Sequence, residues 1–383
     1  MKKIAIIGAG ISGLYIANLL KKNSSYKITI YEKNNSVNPE KGYGIQLSVN
    51  SIKLLNEIGF QNINLEDKFH PSKVDFYSLK NQKKICDLDI SAFNDTDVKY
   101  TTLQRLTLIN FLKNRLPEDL IDYNKKVTKI DYEGENIGVT FENNISIKCD
   151  YLVISDGIFS KTKSLIAQKE IKPKYFKSVA LRATIDRDSL RGIDPSNISL
   201  SLGSNLHTVS YSTNNKSQFN FISILRKKLS TSELSDYSLF EKSDFIASIL
   251  SEISKQVDLN IIKNLKDIKC FPVFVSSEIH QPINKNTFLI GDAFFAFPPT
   301  FAQGASQSIE VAYELYKNLE SLKGKFNHER IERTKMIDRK SKFNYFAFHL
   351  SNPLLIWIRN TLMKYLVKNN KFINNYVGKI YKN

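Results

Sequence analysis

A glycine-rich turn near the amino terminus constrains this chain more than any other feature. Lys3 to Ile7 is an apolar β run, Gly8-Ala9-Gly10-Ile11-Ser12-Gly13 follows it directly, and Leu14 to Lys22 continues with helical periodicity. GxGxxG is a weak pattern alone and a credible one after a strand and before a helix. Gly8 permits the tight turn, Gly10 lets a pyrophosphate approach the backbone, and Gly13 lets helix and strand pack closely. Ser12 lies at the helix start, where unpaired N–H groups face phosphate. Tyr26 to Tyr31 reads as the next strand, completing a βαβ unit. Glu32 follows Gly13 by 19 residues, at a strand end where a carboxylate accepts both hydroxyls of an adenosine ribose; a solvated strand-end glutamate is the alternative. Lys33 is the candidate contact beside it. This unit alone does not distinguish NAD from FAD.

Farther along, two themes alternate. Ser51 to Ile58 reads as a helix stopped by Gly59 in the C′ position. Gly42-Tyr43-Gly44-Ile45 before it reads as a flexible approach to the top of the sheet. Val74 to Asp89 and Ser178 to Leu225 switch to short alternating segments, which suggest an antiparallel sheet. Between these, Gln104 to Leu116 is helical, and Lys148 to Ser155 is a buried strand ending at Asp156-Gly157. The expected fold is α/β, α+β overall: a discontinuous Rossmann-like nucleotide-binding domain, an inserted antiparallel-sheet domain and C-terminal helices. The expected boundaries are 1–72, 101–172 and 276–325 for the nucleotide-binding parts, 73–100 and 173–275 for the sheet domain, and 326–383 for the helical region.

Composition narrows the partners. A chain of 383 residues with 42% hydrophobic and 24% charged residues is globular. Cys86, Cys149 and Cys270 are far apart and lack CxxC or His partners, so neither a disulfide framework nor a metal site is expected. A cytoplasmic protein with reduced thiols follows. The formal charge of +17 favours anionic partners, or is a compositional bias spread along the chain. Nucleic-acid binding is not expected, because zinc-finger, RNA-recognition and dense basic-aromatic signatures are lacking. The tail from His349 to Val377 carries Leu354, Leu355, Ile358, Leu362, Tyr365 and Leu366 at helical spacing, with Arg359, Lys364 and Lys368 among them. This is either a helix covering the core or a basic amphipathic helix lying on the inner membrane face.

A second motif near the other end bears on the cofactor. Asn286 to Ala293 is a strand ending in Gly291-Asp292, and Pro298-Pro299-Thr300-Phe301-Ala302-Gln303-Gly304-Ala305 follows. That arrangement is redundant for a nicotinamide protein and suits a longer cofactor. Together with Gly44-Ile45-Gln46-Leu47-Ser48, Leu103-Gln104-Arg105 and Asp156-Gly157, these motifs resemble the FAD-dependent aromatic-ring monooxygenases of the 4-hydroxybenzoate hydroxylase fold, in their salicylate hydroxylase-like branch. The resemblance runs from Ile4 to about Asn360. It implies that Arg105 reaches FAD, that Asp156 serves FAD and pyridine nucleotide, and that Asp292 takes the ribityl hydroxyls. It also implies that Gly304 and Ala305 turn N–H groups to the pyrimidine end of the ring, with Gly44 and Pro299 beside the flavin.

The implied chemistry is reduction of FAD by NADH or NADPH, addition of O2 at C4a, and oxygen transfer from the hydroperoxide to an aromatic small molecule, by a monomer or homodimer. Leu206-His207-Thr208-Val209-Ser210-Tyr211 resembles the strand that carries a pocket His and Tyr in the relatives. On a strand His207, Val209 and Tyr211 share a face; His207 is the candidate base, a core histidine the alternative. Gln303 is the candidate for orienting a substrate oxygen, and Arg182 is a carboxylate or phosphate contact or a structural ion pair. Phe294-Phe295-Ala296-Phe297 stands where many relatives have a histidine, which implies a bulkier, more apolar wall and a larger substrate. A ring hydroxylase of quinone biosynthesis, an oxygenase of a non-aromatic compound and a non-catalytic flavin-binding redox protein are the rival readings.

Overall fold

Three separated stretches of chain build one parallel sheet. In this computed structural model, which describes residues 1–37, 43–134, 136–190, 192–214, 218–322, 326 and 328–381, the strand order is Thr287–Leu289, Tyr151–Ile154, Lys2–Ile7, Tyr26–Tyr31, Ile121–Asp122. All four pairings are parallel. Helix Ile11–Leu20 is buried at nearly every position, because it lies between this sheet and helices Arg105–Lys113 and Gly304–Asn318. Its sequence is accordingly apolar almost all round, as a helix with no solvent face must be. Gly42, part of the expected approach loop, lies outside the described residues.

The strand expected over Lys148 to Ser155 is two strands in different sheets. Ser146–Cys149 closes an antiparallel meander with Asn136–Phe141 and Val127–Glu133, while Tyr151–Ile154 joins the parallel sheet. Asp150 is the switch: its carboxylate accepts the Lys3 N–H at 2.6 Å, and its own N–H donates to the Lys3 carbonyl. The second helix begins earlier than expected, at Val49, with Ser48 in extended conformation before it. Gly59 sits at φ +83° beyond its end.

The other large element is a seven-stranded sheet ordered Lys266–Val275, Lys174–Asp186, Gln218–Arg226, Leu206–Ser212, Ile198–Gly203, Lys73–Ser78, Lys84–Asp89. It is mixed rather than wholly antiparallel: Ile198–Gly203 runs parallel to Lys73–Ser78, because that junction joins two distant stretches of chain instead of a hairpin. One face, with Val179, Leu181, Ala183 and Ile185, packs beneath helix Ser243–Ser254. The opposite face carries Val74, Leu200 and Val209 toward the C-terminal helices.

The tail is not one helix. His328–Phe348 ends, and Pro353–Leu366 restarts with Asn352 accepting the Leu354 and Leu355 N–H groups. Of the two expected roles the core-covering one holds only in part: Met363 packs against the Leu200 cluster, while Leu354, Leu355, Ile358, Leu362 and Tyr365 are exposed, as is Trp357. No helix among the described residues is long and apolar enough to cross a membrane.

Candidate active site

The glycine turn and the Gly-Asp turn meet at the carboxyl end of the parallel sheet. Gly8 adopts φ +100°, and a Cβ there would fall 2.8 Å from the Ser155 carbonyl oxygen. A Cβ on Gly13 would fall 2.1 Å from the Gly8 oxygen, so helix and strand touch backbone to backbone. Gly10 differs, since its nearest neighbour would be 3.9 Å away; that position faces open space. Glu32 accepts the Ala9 N–H at 2.9 Å and the Asn34 N–H at 3.0 Å, tying the second strand's end to the turn. Lys33 next to it is exposed.

Gly291 sits at φ +61°, and a Cβ there would meet Ser12 Oγ at 2.4 Å. Glycine is thereby doubly required, and it brings Asp292 beside the start of the first helix. The Asp292 side chain is reached by water although protein surrounds it, which marks the wall of a cleft. Desolvation pushes its carboxyl up to about 6, against the opposing pull of Arg105 and Lys163. Burial raises the Asp156 carboxyl, despite the hydrogen bonds of Ser160 and Thr162, and its Oδ1 has no partner. Lys163, which the sequence reading missed, is buried, and desolvation lowers its ammonium below the ordinary lysine value. Gly157 and Gly304 have nothing within 4 Å of a built Cβ. Gly304-Ala305 opens the 15-residue helix Gly304–Asn318, which has no acidic residue in its first turn. Open glycine faces, two helix N-termini, two cations and acceptor carboxylates suit a long cofactor with a pyrophosphate and a polyol, so the residues present fit FAD.

A cavity of about 410 Å³ lies beyond Pro299, which lines it with Thr300, Phe301 and Ala302. Its walls are mostly apolar: Val74, Phe76, Leu88, Leu200 and Val209 from the large sheet, with Phe348, Ile358 and Leu362 from the C-terminal helices. Polar groups are few. Gln46 accepts the Tyr100 hydroxyl at 2.8 Å, and His207 lines the cavity from the sheet side. His207 is buried; its Nδ1 lies 3.1 Å from Nε2 of His349, whose Nδ1 lies 2.8 Å from the Tyr345 carbonyl. Desolvation holds the His207 imidazole well below its ordinary value, with the neighbouring His349 adding to the effect. His349 is lowered as well, chiefly by burial.

Several expectations change. Tyr211 is fully buried on the same strand face as His207, but its ring packs against Gly44, where a Cβ would fall 2.8 Å from Tyr211 Cε2. It backs the Gly44–Leu47 strand rather than lining the cavity. Gln303 donates to Ser48 Oγ at 2.9 Å and accepts from Gln307 at 3.1 Å; both ends of its amide belong to a buried polar network, not to a substrate. The phenylalanine run points inward: Phe294 packs on Phe326 and Phe295 on Phe297, away from the cavity wall. Arg182 stacks over the Tyr43 ring at 5.6 Å. His349 was invisible to sequence reasoning because 142 residues separate it from His207.

A sequence profile of the FAD binding domain family matches residues 1–336. Among curated proteins, the salicylate hydroxylase of Pseudomonas putida is 23% identical across 92% of this chain and 87% of its own length. The 6-hydroxynicotinate 3-monooxygenase of Pseudomonas fluorescens is 24% identical across 89% and 91%. Among solved structures, Klebsiella pneumoniae HpxO complexed with FAD and uric acid superposes with a TM-score of 0.82 over 99% of this chain and 96% of that one, at 16% identity. With most of its length matched, the chain belongs to the FAD binding domain family and is an FAD-dependent monooxygenase of the aromatic hydroxylase group.

Proposed function

We propose that this monooxygenase consumes NADH or NADPH and O2 to hydroxylate a largely apolar aromatic molecule held in the 410 Å³ cavity. Ring C–H, O2, NAD(P)H and a proton become ring C–OH, water and NAD(P)⁺. The cavity carries the reading: Pro299 to Ala302, which lead into the Gly304 helix start, line one end of it, and its walls are mostly apolar with a few polar groups, Gln46, His207 and Arg359 among them, to orient a ring. Bound FAD supplies the electron transfer from the nicotinamide and the activation of oxygen. The turn shaped by Gly8 and Gly13 holds the pyrophosphate at Gly10 and Ser12, Glu32 and Lys33 the adenosine end, and Asp292 with Arg105 and Asp156 the ribityl and phosphate groups. Gly44, Pro299, Gly304 and Ala305 frame the ring.

His207 is the proton acceptor in this reading. A carbonyl only accepts, so the 2.8 Å contact to Tyr345 requires a proton on His349 Nδ1. Neutral His349 then has a bare Nε2, which accepts the His207 Nδ1–H, and His207 is left with a bare Nε2 for a substrate hydroxyl. A cationic His349 would donate from Nε2 to the Ile224 carbonyl at 3.1 Å or to His207 Nδ1, which would then accept and leave the His207 proton on Nε2; burial opposes that state. Removing the phenolic proton raises ring nucleophilicity, and general-base assistance contributes about 10²- to 10⁴-fold.

The enzyme acts in the cytoplasm as a monomer or homodimer, and contact with the inner membrane face is peripheral, through the exposed Pro353–Leu366 helix. The test is NADH and NADPH oxidation by the yellow holoprotein against phenols, aromatic acids and quinone precursors under isotopically labelled O2. Ligand-stimulated oxidation with one labelled oxygen in the product is expected. Product without label, or oxidation that no aromatic ligand stimulates, refutes the assignment.

A further inference from the structure

Helix Pro353–Leu366 straddles the rim of the cavity. Its row Leu355, Ile358, Leu362 and Leu366 lines the cavity. The other side points outward: Leu354, Trp357 and Tyr365, three and then eight residues apart, are 63%, 64% and 73% exposed. Phe343 and Phe346 of the preceding helix do both, lining the cavity while more than half exposed. The cavity therefore opens through an apolar lip that merges with an apolar surface, an arrangement that marks an interaction site. Two contacts tie the helix to the preceding chain. Its Arg359 is buried and donates to the Ala347 carbonyl at 3.0 Å, and Asn352 caps its start.

Charge identifies the occupant. From residue 339 to residue 383 the sequence has nine Lys and Arg and no Asp or Glu. Lys342, Lys364, Lys368 and Lys371 are exposed around the apolar row. A second copy docking there would bring two such acid-free segments together and meet repulsion. An anionic bilayer meets the same charges favourably, takes the apolar row into its headgroup boundary, and suits Trp357 and Tyr365. No described helix can cross a membrane, so the contact is interfacial.

We propose that the Pro353–Leu366 helix and the Phe343–Phe346 edge dock on an anionic lipid surface, and that a lipophilic aromatic substrate dissolved in that bilayer enters the cavity through this lip. The portal rests on the cavity being the substrate site; the docking does not. Trp357 is the sole tryptophan of the chain and so reports the docking directly.

Full-length holoenzyme is mixed with phosphatidylcholine vesicles with and without phosphatidylglycerol. Sedimentation with the anionic vesicles, a blue shift of Trp357 emission and reversal by high salt are expected. Leu354→Glu combined with Tyr365→Glu, neither a cavity-lining position, should lower vesicle affinity at least tenfold while flavin absorbance and melting temperature stay unchanged. No sedimentation or emission shift at low salt overturns the docking, as does equal binding by the double variant. A blue shift that grows with protein concentration in the absence of lipid assigns the surface to a second copy instead. For the portal, NAD(P)H oxidation stimulated by a vesicle-borne long-chain phenol should fall with the double variant, while stimulation by a water-soluble phenol persists. Equal rates on the vesicle-borne phenol refute the portal. Stimulation by neither phenol in the parent protein, with docking intact, refutes the substrate reading and leaves the docking standing.

Discussion

Alanine at Gly10 separates cofactor binding from folding, because the space around that residue belongs to no protein atom. Its backbone is ordinary, φ −79°, and the nearest atom to a Cβ is 3.9 Å away. The fold then loses only the preference for glycine over alanine before a helix, about 1 kcal/mol, offset by about 0.4 to 1 kcal/mol from a less flexible unfolded chain. Gly13→Ala is the control. Its Cβ would sit 2.1 Å from the Gly8 oxygen, so reaching about 3.4 Å, the lower edge of ordinary contact, needs a shift of roughly 1.3 Å between helix and turn. Overpacking of that kind costs about 1 to 3 kcal/mol. Toward FAD, a methyl at Gly10 stands where pyrophosphate must approach. Losing one charge-assisted hydrogen bond of about 1.5 to 3 kcal/mol weakens binding about 10- to 100-fold. Fluorescence titration of apoprotein with FAD and thermal unfolding of the same apoprotein measure the two effects. The expected result is weakened FAD binding in both variants and lowered apoprotein stability in Gly13→Ala alone. Parental FAD affinity in Gly10→Ala would show that phosphate does not approach there, and equal destabilisation by both would show that the open space is illusory.

Other consequences follow from the charged groups that protein crowds. Crowding by the surrounding protein raises the Asp292 carboxyl to about 6, so ionising it penalises the folded apoprotein as pH rises through about 6, by an amount that the water reaching this side chain reduces. Asp292→Asn should raise the apoprotein melting temperature at pH 8, leave it nearly unchanged at pH 4, and weaken FAD retention; a lower melting temperature at pH 8 would contradict this. Glu310 is buried between Arg330 and Arg333 and accepts from Asn50. Burial alone would raise its carboxyl, yet the hydrogen bonds and charges of Arg333 and Arg330 hold it below the ordinary value. Its stabilisation is present above the unfolded-state carboxyl value and is lost as pH falls through the depressed one. Glu310→Ala should cost about 3 to 5 kcal/mol by leaving buried cations uncompensated, read by urea unfolding at pH 7; a cost below 1 kcal/mol would refute the pairing. His349→Phe removes the acceptor of the His207 Nδ1–H, so kcat on a phenol should fall and its acidic limb should move while flavin content stays constant. An unchanged pH profile would remove His349 from the proton path.

The sequence spelled out what is local and obscured what is not. The glycine turn, the Gly-Asp turn and the strands around them were legible because their constraints lie within a few residues: a positive φ at Gly8 and Gly291, and backbone contact at Gly13. Tyr211 and Gln303 were placed by analogy along a strand and a turn. Gly44 and Ser48, 167 and 255 residues away in the chain, decide where those side chains point. The phenylalanine run reads as pocket wall in one dimension and is core in three, since its short helix turns it under the parallel sheet.

The C-terminal helix reverses that lesson. Periodicity alone gives an amphipathic helix and leaves open which side faces protein. The large sheet settles it by presenting an apolar face, Val74, Leu200 and Val209, on which Met363 of the helix packs and beside which the cavity lies. Half of the helix's apolar residues serve that cavity, and the other half have no protein to cover. Leu354, Trp357 and Tyr365 meet water along one side of this helix. Their exposure beside an acid-free basic stretch matches a lip that meets an apolar phase, and an apolar cavity suits the molecules that such a phase delivers.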